Sequence, residues 1–256
     1  MAGRKVYLVG AGPGDPELLT LRAWRILQRA EVVLYDRLVS AEVLACVNPR
    51  ALLVDVGKHE GQQCEVQRQI VPLLIAYHAQ YTTVVRLKSG DPMVFARGAE
   101  ELEELAAAGV SVEVVPGISS SFAGPALAGI PLTYRGVARH FTIVTGHGRD
   151  GVLQDWRAIA GVDTLIILMG VKARVEIAQA LRRAGRPAAE PCAFLERVST
   201  PTERRVFATL GDVAAGRVEV EAPAVWVQGE VVALAASNGL CLGAQAAAAL
   251  PGARLA

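Results

Sequence analysis

Three loops of this sequence combine glycine, proline and small polar residues in patterns that could hold a small ligand. They span residues 10–15 (GAGPGD), 88–98 (KSGDPMVFARG) and 116–121 (PGISSS). Each follows a short apolar run, and glycine allows both a tight turn and a close approach of a ligand to the backbone. The pattern predicts a site built largely from backbone groups and small side chains.

The first loop is similar to a dinucleotide-binding turn, because Asp36 ends the second apolar run where a ribose-binding acid would lie. The G-x-G-x-x-G pattern is incomplete, however, since Asp15 occupies its last position. A carboxylate there would repel a pyrophosphate, and Pro13 removes a backbone donor. These residues argue against an NAD-dependent dehydrogenase. The simpler alternative is a glycine turn that only joins a strand to a helix.

The second loop follows a predicted strand at the carboxyl edge of the sheet, where open α/β sheets bind their ligands. Asp91 precedes Pro92, which forces an extended turn. Arg97 then stands at the start of a predicted helix, where a cation is electrostatically unfavourable. We therefore expect Arg97 to serve an anion, and the alternative is a salt bridge to a nearby glutamate.

Two serines and a methionine are further candidates for contact with a ligand. Ser119 and Ser120 could hold a ligand through hydroxyl and backbone N–H groups, or could simply cap the helix that follows. Met169 ends a predicted strand in the second half of the chain. A methionine at such a position is more often part of the core than a ligand contact.

Apolar runs that alternate with helical segments must position these loops. Strands are predicted at 5–9, 32–35, 52–56, 83–87 and 112–115, with helices at 18–29, 66–78 and 98–108. Uninterrupted apolar strands separated by helices predict a parallel sheet covered on both faces.

The pattern restarts after residues 129–139, a stretch rich in glycine and proline. Further strands are predicted at 141–145, 164–169, 191–195, 205–209 and 224–228, with a helix at 173–183. We therefore predict an α/β fold with an N-terminal domain over 1–130 and a C-terminal α/β domain over 138–237. The Ala/Gly-rich segment 238–256 is expected to be frayed.

The composition narrows the function classes. The 256 residues carry 26 Lys+Arg and 25 Asp+Glu, a net charge of +1 that does not favour nucleic-acid or membrane-surface binding. Apolar residues make up 52% of the chain, yet no run is long enough to span a membrane. The four cysteines are widely spaced and the four histidines lack metal-ligand spacing, which predicts a cytoplasmic protein without disulfides or a metal site.

These loops, together with several shorter pieces, resemble the tetrapyrrole (class III) methyltransferases over residues 4–236. The matching pieces are 9–21 (VGAGPGDPELLTL), 35–40 (YDRLVS), 56–58 (VGK), 90–92 (GDP), 97–98 (RG), 116–118 (PGI), 129–133 (GIPLT), 169–170 (MG) and 223–224 (PA). The pieces YDRLVS and VGK favour the branch that methylates uroporphyrinogen III twice, giving precorrin-2 for sirohaem and cobalamin biosynthesis.

The resemblance implies two α/β domains with a ligand cleft between them, and a homodimer. It implies that S-adenosylmethionine binds folded in that cleft as methyl donor, leaving S-adenosylhomocysteine, with no metal. The residues that match the family's donor contacts are Pro13, Ser89, Gly90, Asp91, Val94, Ser119, Ser120, Met169, Val198 and Ala224.

The resemblance also implies catalytic roles. Asp36 and Lys58 match the family's proposed proton acceptor and donor, while Arg97 and Glu100 match a pair implicated in catalysis. Either Asp36 or Arg97 could be the base. Asp36 could instead only order its loop, and Lys58 could clamp a carboxylate without moving a proton. Cations suited to the carboxylates of a tetrapyrrole are Arg37, Lys58, His59, Arg97, Arg135 and Arg139.

Several positions depart from the family's usual residues. Ser89 replaces a glycine, Tyr134 replaces a histidine, and the run 59–65 (HEGQQCE) lacks the usual basic residue and His-Ser pair. Small residues replace small ones near the donor loops, so donor binding is expected to survive. The changes near Tyr134 and residues 59–65 leave a second hypothesis, in which the substrate is a later precorrin or a related porphyrinoid.

Overall fold

The computed structural model describes residues 3–57, 63–147 and 154–237. The chain divides into two compact units, Met1–Ser119 and Ser120–Ala256. Lys58, His59 and the segment 238–256 lie outside the described residues, so the predictions for them stay predictions.

A parallel sheet forms the centre of the first unit, as its apolar runs predict. Its strands are β1 (Lys5–Gly10), β2 (Val32–Tyr35), β3 (Leu52–Asp55), β4 (Thr83–Lys88) and β5 (Val112–Val115). They lie in the order β3-β2-β4-β1-β5, and all neighbours are parallel. The carboxyl ends of parallel strands share one edge, so the loops after β4, β1 and β5 are neighbours.

Helices cover both faces of this sheet. They are α1 (Leu21–Leu27), α2 (Ala41–Leu44), α3 (Gln63–His78) and α4 (Gly98–Ala107), with a 3₁₀ turn at Pro16–Leu18. The α1 helix is shorter than the predicted segment 18–29 because the Thr20 hydroxyl accepts from Ala23 N–H and caps a new helix start. Ile26 of α1 packs on one face of the sheet, and Leu74 of α3 with Leu105 of α4 on the other.

The second unit contains a mixed sheet. Its strands are β6 (Phe141–Thr145), β7 (Thr164–Leu168), β8 (Pro191–Glu196), β9 (Arg204–Thr209) and β10 (Ala224–Gln228). In the order β6-β7-β10-β8-β9, only β6 and β7 are parallel; β10 is antiparallel to β7 and β8, and β8 to β9. The predicted strand positions hold. A short link without a helix joins β8 to β9, which suits an antiparallel pair.

The helices of the second unit are α5 (Ser120–Leu127), α6 (Trp156–Ile159), α7 (Arg174–Arg183), α8 (Leu210–Ala214) and α9 (Val231–Ser237). Leu181 of α7 and Val213 of α8 pack against Trp226 on one face of the sheet. Within the described part of the chain, no helix is both long and apolar enough to cross a membrane.

The unit boundary lies earlier than the predicted domain limits of 1–130 and 138–237. It falls between Ser119 and Ser120, because α5 belongs to the core of the second unit. Ala123 and Ala128 are buried in one cluster with Ile166 of β7 and Val225 of β10. Glycine and proline at 129–139 mark a turn inside this unit, and the buried face of α5 decides to which sheet it belongs.

Candidate functional site

Three backbone segments touch at the carboxyl edge of the first sheet. A Cβ atom on Gly10 would lie 2.5 Å from Gly117 Cα and 2.6 Å from the Gly90 carbonyl oxygen. Gly90 N–H also donates to the Gly12 carbonyl at 2.8 Å, and Gly12 N–H to the Gly90 carbonyl at 3.2 Å. Only glycine fits this crossing, so the three predicted loops form one surface at one edge.

The first loop is tied to the segment after β2. Asp15 accepts a hydrogen bond from Glu17 N–H at 2.8 Å and caps the 3₁₀ turn. Ser40 donates from its hydroxyl to the Gly14 carbonyl at 2.6 Å and caps α2. The Asp15 carboxylate therefore occupies the helix start that a pyrophosphate would need, which supports the argument against a dinucleotide site.

The second loop is held in one conformation by Asp91. One oxygen of its carboxylate accepts from Met93 N–H at 2.8 Å, and the other from Gly117 N–H at 3.1 Å. Gly98 packs so closely that a Cβ there would lie 2.1 Å from the Pro92 carbonyl oxygen. Asp91 thus joins the second loop to the third. Ser89 and Val94 on the same loop are half-buried.

Arg97 and Glu100 form an ion pair at the start of α4. Arg97 has φ 59°, in the left-handed region, and immediately precedes the helix. Its Nε donates to Glu100 Oε2 at 2.9 Å, and Nη2 contacts the same oxygen. The alternative of a salt bridge to a nearby glutamate is therefore present. Both side chains are about half exposed, at 45% and 48%, so the pair can meet a ligand.

Asp36 follows β2 and belongs to a buried ionic network that motif reasoning missed. Its Oδ1 lies 2.5 Å from Nη2 of Arg86, a residue of β4 with no exposed side-chain surface. Arg86 Nε also lies 3.3 Å from Glu101 Oε2, and Lys88 Nζ donates to Glu101 Oε1 at 2.7 Å. Burial lowers the pKa of Lys88, and the neighbouring Arg86 charge lowers it further. The sequence feature that could have revealed this network is the presence of two cations, Arg86 and Lys88, within the apolar strand segment 84–88 (VVRLK).

The third loop leads across the unit boundary. Ser119 is buried and ends the first unit, while Ser120 is half-buried and begins α5 in the second. The two serines therefore belong to different units although they are adjacent in the chain. Pro13 in the first loop is half-buried at the edge already described.

Three of the predicted residues share one edge of the second sheet. Met169 follows β7, Val198 follows β8 and Ala224 begins β10, which is antiparallel to both strands. Met169 is 53% exposed with φ 56°, so it is not a core methionine. Val198 is buried and would lie 3.1 Å from a Cβ on Gly124 of α5. These three predicted donor contacts therefore lie at one edge of the sheet of the second unit.

Among the described ranges 3–57, 63–147 and 154–237, no group of three or more His, Cys, Asp or Glu residues could hold a metal ion. The chemistry available from these ranges is that of backbone amides, hydroxyls, carboxylates and guanidinium groups.

Both the sequence and the fold of this chain are similar to those of known enzymes. A uroporphyrinogen-III C-methyltransferase from Synechocystis sp. is 45% identical over 235 residues, covering 89% of both chains. The crystal structure of a uroporphyrin-III C-methyltransferase from Thermus thermophilus, in complex with S-adenyl homocysteine, matches with a TM-score of 0.81 and 52% identity, covering 91% of this chain and 94% of that one.

A more distant match is the X-ray structure of a cobalt precorrin-4 methyltransferase, at 26% identity and a TM-score of 0.77, covering 89% of this chain and 95% of that one. The sequence profile of the family described as tetrapyrrole (corrin/porphyrin) methylases matches residues 5–214. These matches agree with the resemblance and with the two-unit α/β architecture. The chain belongs to the tetrapyrrole (corrin/porphyrin) methylase family.

Proposed function

We propose that this protein is an S-adenosylmethionine-dependent C-methyltransferase that adds two methyl groups to uroporphyrinogen III, giving precorrin-2. The observation that carries the proposal is the glycine crossing of Gly10, Gly90 and Gly117, with Asp36 and the Arg97–Glu100 pair in the same unit. The chain also shares 45–52% of its residues with relatives named for this reaction.

The first unit fits a donor bound largely through main-chain groups. Asp91 already accepts two backbone hydrogen bonds, so we infer that it shapes the loop and presents its neighbours. When bound, S-adenosylmethionine supplies a sulfonium-bound methyl group as the electrophile. The residues proposed to contact it are Pro13, Ser89, Gly90, Asp91, Val94 and Ser119 in the first unit, with Ser120, Met169, Val198 and Ala224 in the second.

Asp36 is the better candidate for the base that removes a proton from the macrocycle. Its carboxylate is partly exposed, at 27%, and is held by Arg86. A guanidinium group stays protonated in proteins, so Arg97 is poorly suited to accept a proton. We assign Arg97 the role of orienting an anionic group of the substrate. Glu100 holds the Arg97 side chain through the ion pair described above. Lys58 stays the proposed proton donor, outside the described residues.

Exposed cations suit the carboxylates on the rim of a tetrapyrrole. Arg37 follows Asp36, and Arg135 and Arg139 lie beside a tight turn in the second unit. In that turn Tyr134 N–H donates to the Ala138 carbonyl at 2.9 Å, and Ala138 N–H to the Tyr134 carbonyl at 2.8 Å. Arginine pairs with carboxylate through two parallel hydrogen bonds, which orients a substrate as well as attracting it.

We further propose that the protein is a cytoplasmic homodimer. Leu52 and Leu53 are each 44% exposed on β3, an edge strand of the first sheet, and an apolar edge of this kind favours a contact with a second copy. Cys46 and Cys192 are free cysteines, which suits a reducing compartment.

The test is anaerobic incubation of the purified protein with S-adenosylmethionine and uroporphyrinogen III, followed by mass analysis of the tetrapyrrole. We expect a gain of two methyl groups, abolished in Arg97→Ala. The matched control is Arg217→Ala, since Arg217 is also exposed and paired with a carboxylate, Asp212, at 2.7 Å. Absence of methyl gain while S-adenosylhomocysteine still binds would reject this substrate and favour a later precorrin.

A further inference from the structure

Arg86 is a fully buried arginine in the middle of an apolar strand. Its side chain has no exposed surface, and it shares one face of β4 with Val84, which packs in the core with Leu34 and Leu74. Burying a guanidinium is expensive, and a well-packed apolar residue would often serve stability equally well. Stability alone therefore does not explain a buried arginine at this position, and its contacts with other charged residues are the place to look for its role.

The two carboxylate partners of Arg86 come from different parts of the chain, and its Nη1 also donates to the Leu87 carbonyl oxygen at 3.2 Å. Its Nη2 lies 2.5 Å from Asp36 Oδ1, just after β2, and 3.4 Å from Glu101 Oε1 on α4. Its Nε lies 3.3 Å from the second oxygen of Glu101. Because the guanidinium is rigid and planar, it fixes the angle between the two carboxylates as well as their distances.

Both ends of this network lead to residues with a proposed catalytic role. Asp36 is the proposed base. Glu101 occupies the first turn of α4, next to Glu100 in the chain, and Arg97 immediately precedes that helix. Lys88 holds the same Glu101 from the end of β4, where it immediately precedes Ser89 and Gly90 in the chain.

We propose that Arg86 is a positioning residue for methyl transfer: it holds the Asp36 carboxylate in place and, through Glu101, ties it to the helix start that carries Arg97 and Glu100. The inference rests on the proposed function. The Arg86 side chain has no exposed surface, so we expect it to act through Asp36 and Glu101. Its effect is to keep the two reactive groups of the first unit in a constant mutual geometry.

The variant that tests this is Arg86→Lys, which keeps the charge but loses the planar fork. A misplacement of about 1 Å at a reactive group can lower turnover about 100-fold, so we expect kcat to fall by about that factor. The KM values and the Kd for S-adenosylhomocysteine should stay within about twofold, because the glycine crossing is untouched.

The matched control is Arg186→Lys in the second unit. Arg186 is also a buried arginine and forms two 2.7 Å hydrogen bonds to the carboxylate of Glu190. A merely structural effect would lower the melting temperature of both variants and leave both kcat values near the wild type. We expect only Arg86→Lys to lose turnover at a temperature where both variants are folded.

Crystal structures of the wild type and Arg86→Lys supply a readout that does not depend on turnover. We expect the Asp36 carboxylate to be displaced by about 1 Å in the variant, the scale at which reactive geometry is lost. An unmoved carboxylate, or an unchanged kcat, would overturn the inference. If the wild type itself transfers no methyl group, the proposed function fails while the displacement still decides whether Arg86 positions Asp36.

Glu101→Gln provides a second variant if Arg86→Lys does not fold. It keeps the shape of Glu101 and removes the charge that Arg86 and Lys88 share. The same pattern is expected, with kcat lowered and S-adenosylhomocysteine binding retained. Full turnover in a folded Glu101→Gln protein would contradict the proposed tie between Asp36 and α4.

Discussion

Replacing Gly117 by alanine places a methyl group where three loops of the first unit touch. The added Cβ would lie 2.2 Å from the Gly90 carbonyl oxygen and 2.7 Å from Gly10 Cα. Both neighbours are main-chain atoms, so neither can rotate away as a flexible side chain would. To reach an ordinary contact of 3.4 Å, the Gly90 carbonyl must retreat by about 1.2 Å.

Overpacking of a tight site typically lowers stability by about 1–3 kcal/mol, and backbone neighbours place Gly117→Ala near the upper end, at about 3 kcal/mol. The displaced segments are those proposed to contact the methyl donor. A shift of this size would break main-chain hydrogen bonds to the ligand, and the loss of two such bonds at about 1.4 kcal/mol each lowers affinity about 100-fold. We therefore expect the Kd for S-adenosylhomocysteine to rise by about 100-fold.

Titration calorimetry with S-adenosylhomocysteine and urea unfolding measure the two effects. The control is Gly161→Ala, because a Cβ on Gly161 meets no atom within 4 Å and its φ is not left-handed. That variant should stay within about 0.5 kcal/mol of the wild type. The reasoning is refuted if Gly117→Ala unfolds at the wild-type urea concentration and binds the ligand with wild-type affinity.

Three further predictions concern single side chains. Asp36→Asn should lower kcat by about 100-fold or more, as expected when a general base is lost, while S-adenosylhomocysteine affinity in calorimetry stays within about twofold; full turnover would exclude Asp36 as the base. Burial raises the pKa of the Cys192 thiol, whereas Cys46 is partly exposed. Alkylation at pH 8 followed by mass spectrometry should therefore modify Cys46 in the native protein and Cys192 only after unfolding. Rapid labelling of Cys192 in the native protein would contradict its burial. The Thr209 hydroxyl hydrogen bond lowers the pKa of Asp212 below 3.8, so this interaction stabilises the fold above that pH and is lost as pH falls through the folded value. Thr209→Val should therefore lower the free energy of unfolding in urea by about 1 kcal/mol at pH 7 and by less at pH 3, and an equal loss at both pH values would reject the assignment.

The strands of both sheets were predictable because each is an apolar run with a local signal. Predicted strands at 32–35, 141–145 and 224–228 match β2, β6 and β10. The parallel direction of the first sheet also followed, since helices separate its strands. The antiparallel pairing of β8 and β10 did not follow, because strand direction depends on which distant segment supplies the neighbouring strand.

The site residues show the same division. The glycine loops were identifiable because close approach and left-handed φ values restrict the residue type locally. The role of Arg86 was not, because its partners Asp36 and Glu101 are 50 and 15 residues away in the chain. A methionine at the end of a strand is more often part of a core, and only the structure shows that Met169 is 53% exposed.

The sequence by itself therefore determined the α/β class, the positions of the strands and the three loops that carry the family motifs. These properties depend on neighbours along the chain: apolar periodicity, glycine conformations and residue order. Only the tertiary structure decided that α5 packs with the second sheet, that Gly10, Gly90 and Gly117 touch, and that a buried arginine holds Asp36. Those features depend on the packing of segments far apart in the chain, which local patterns do not encode.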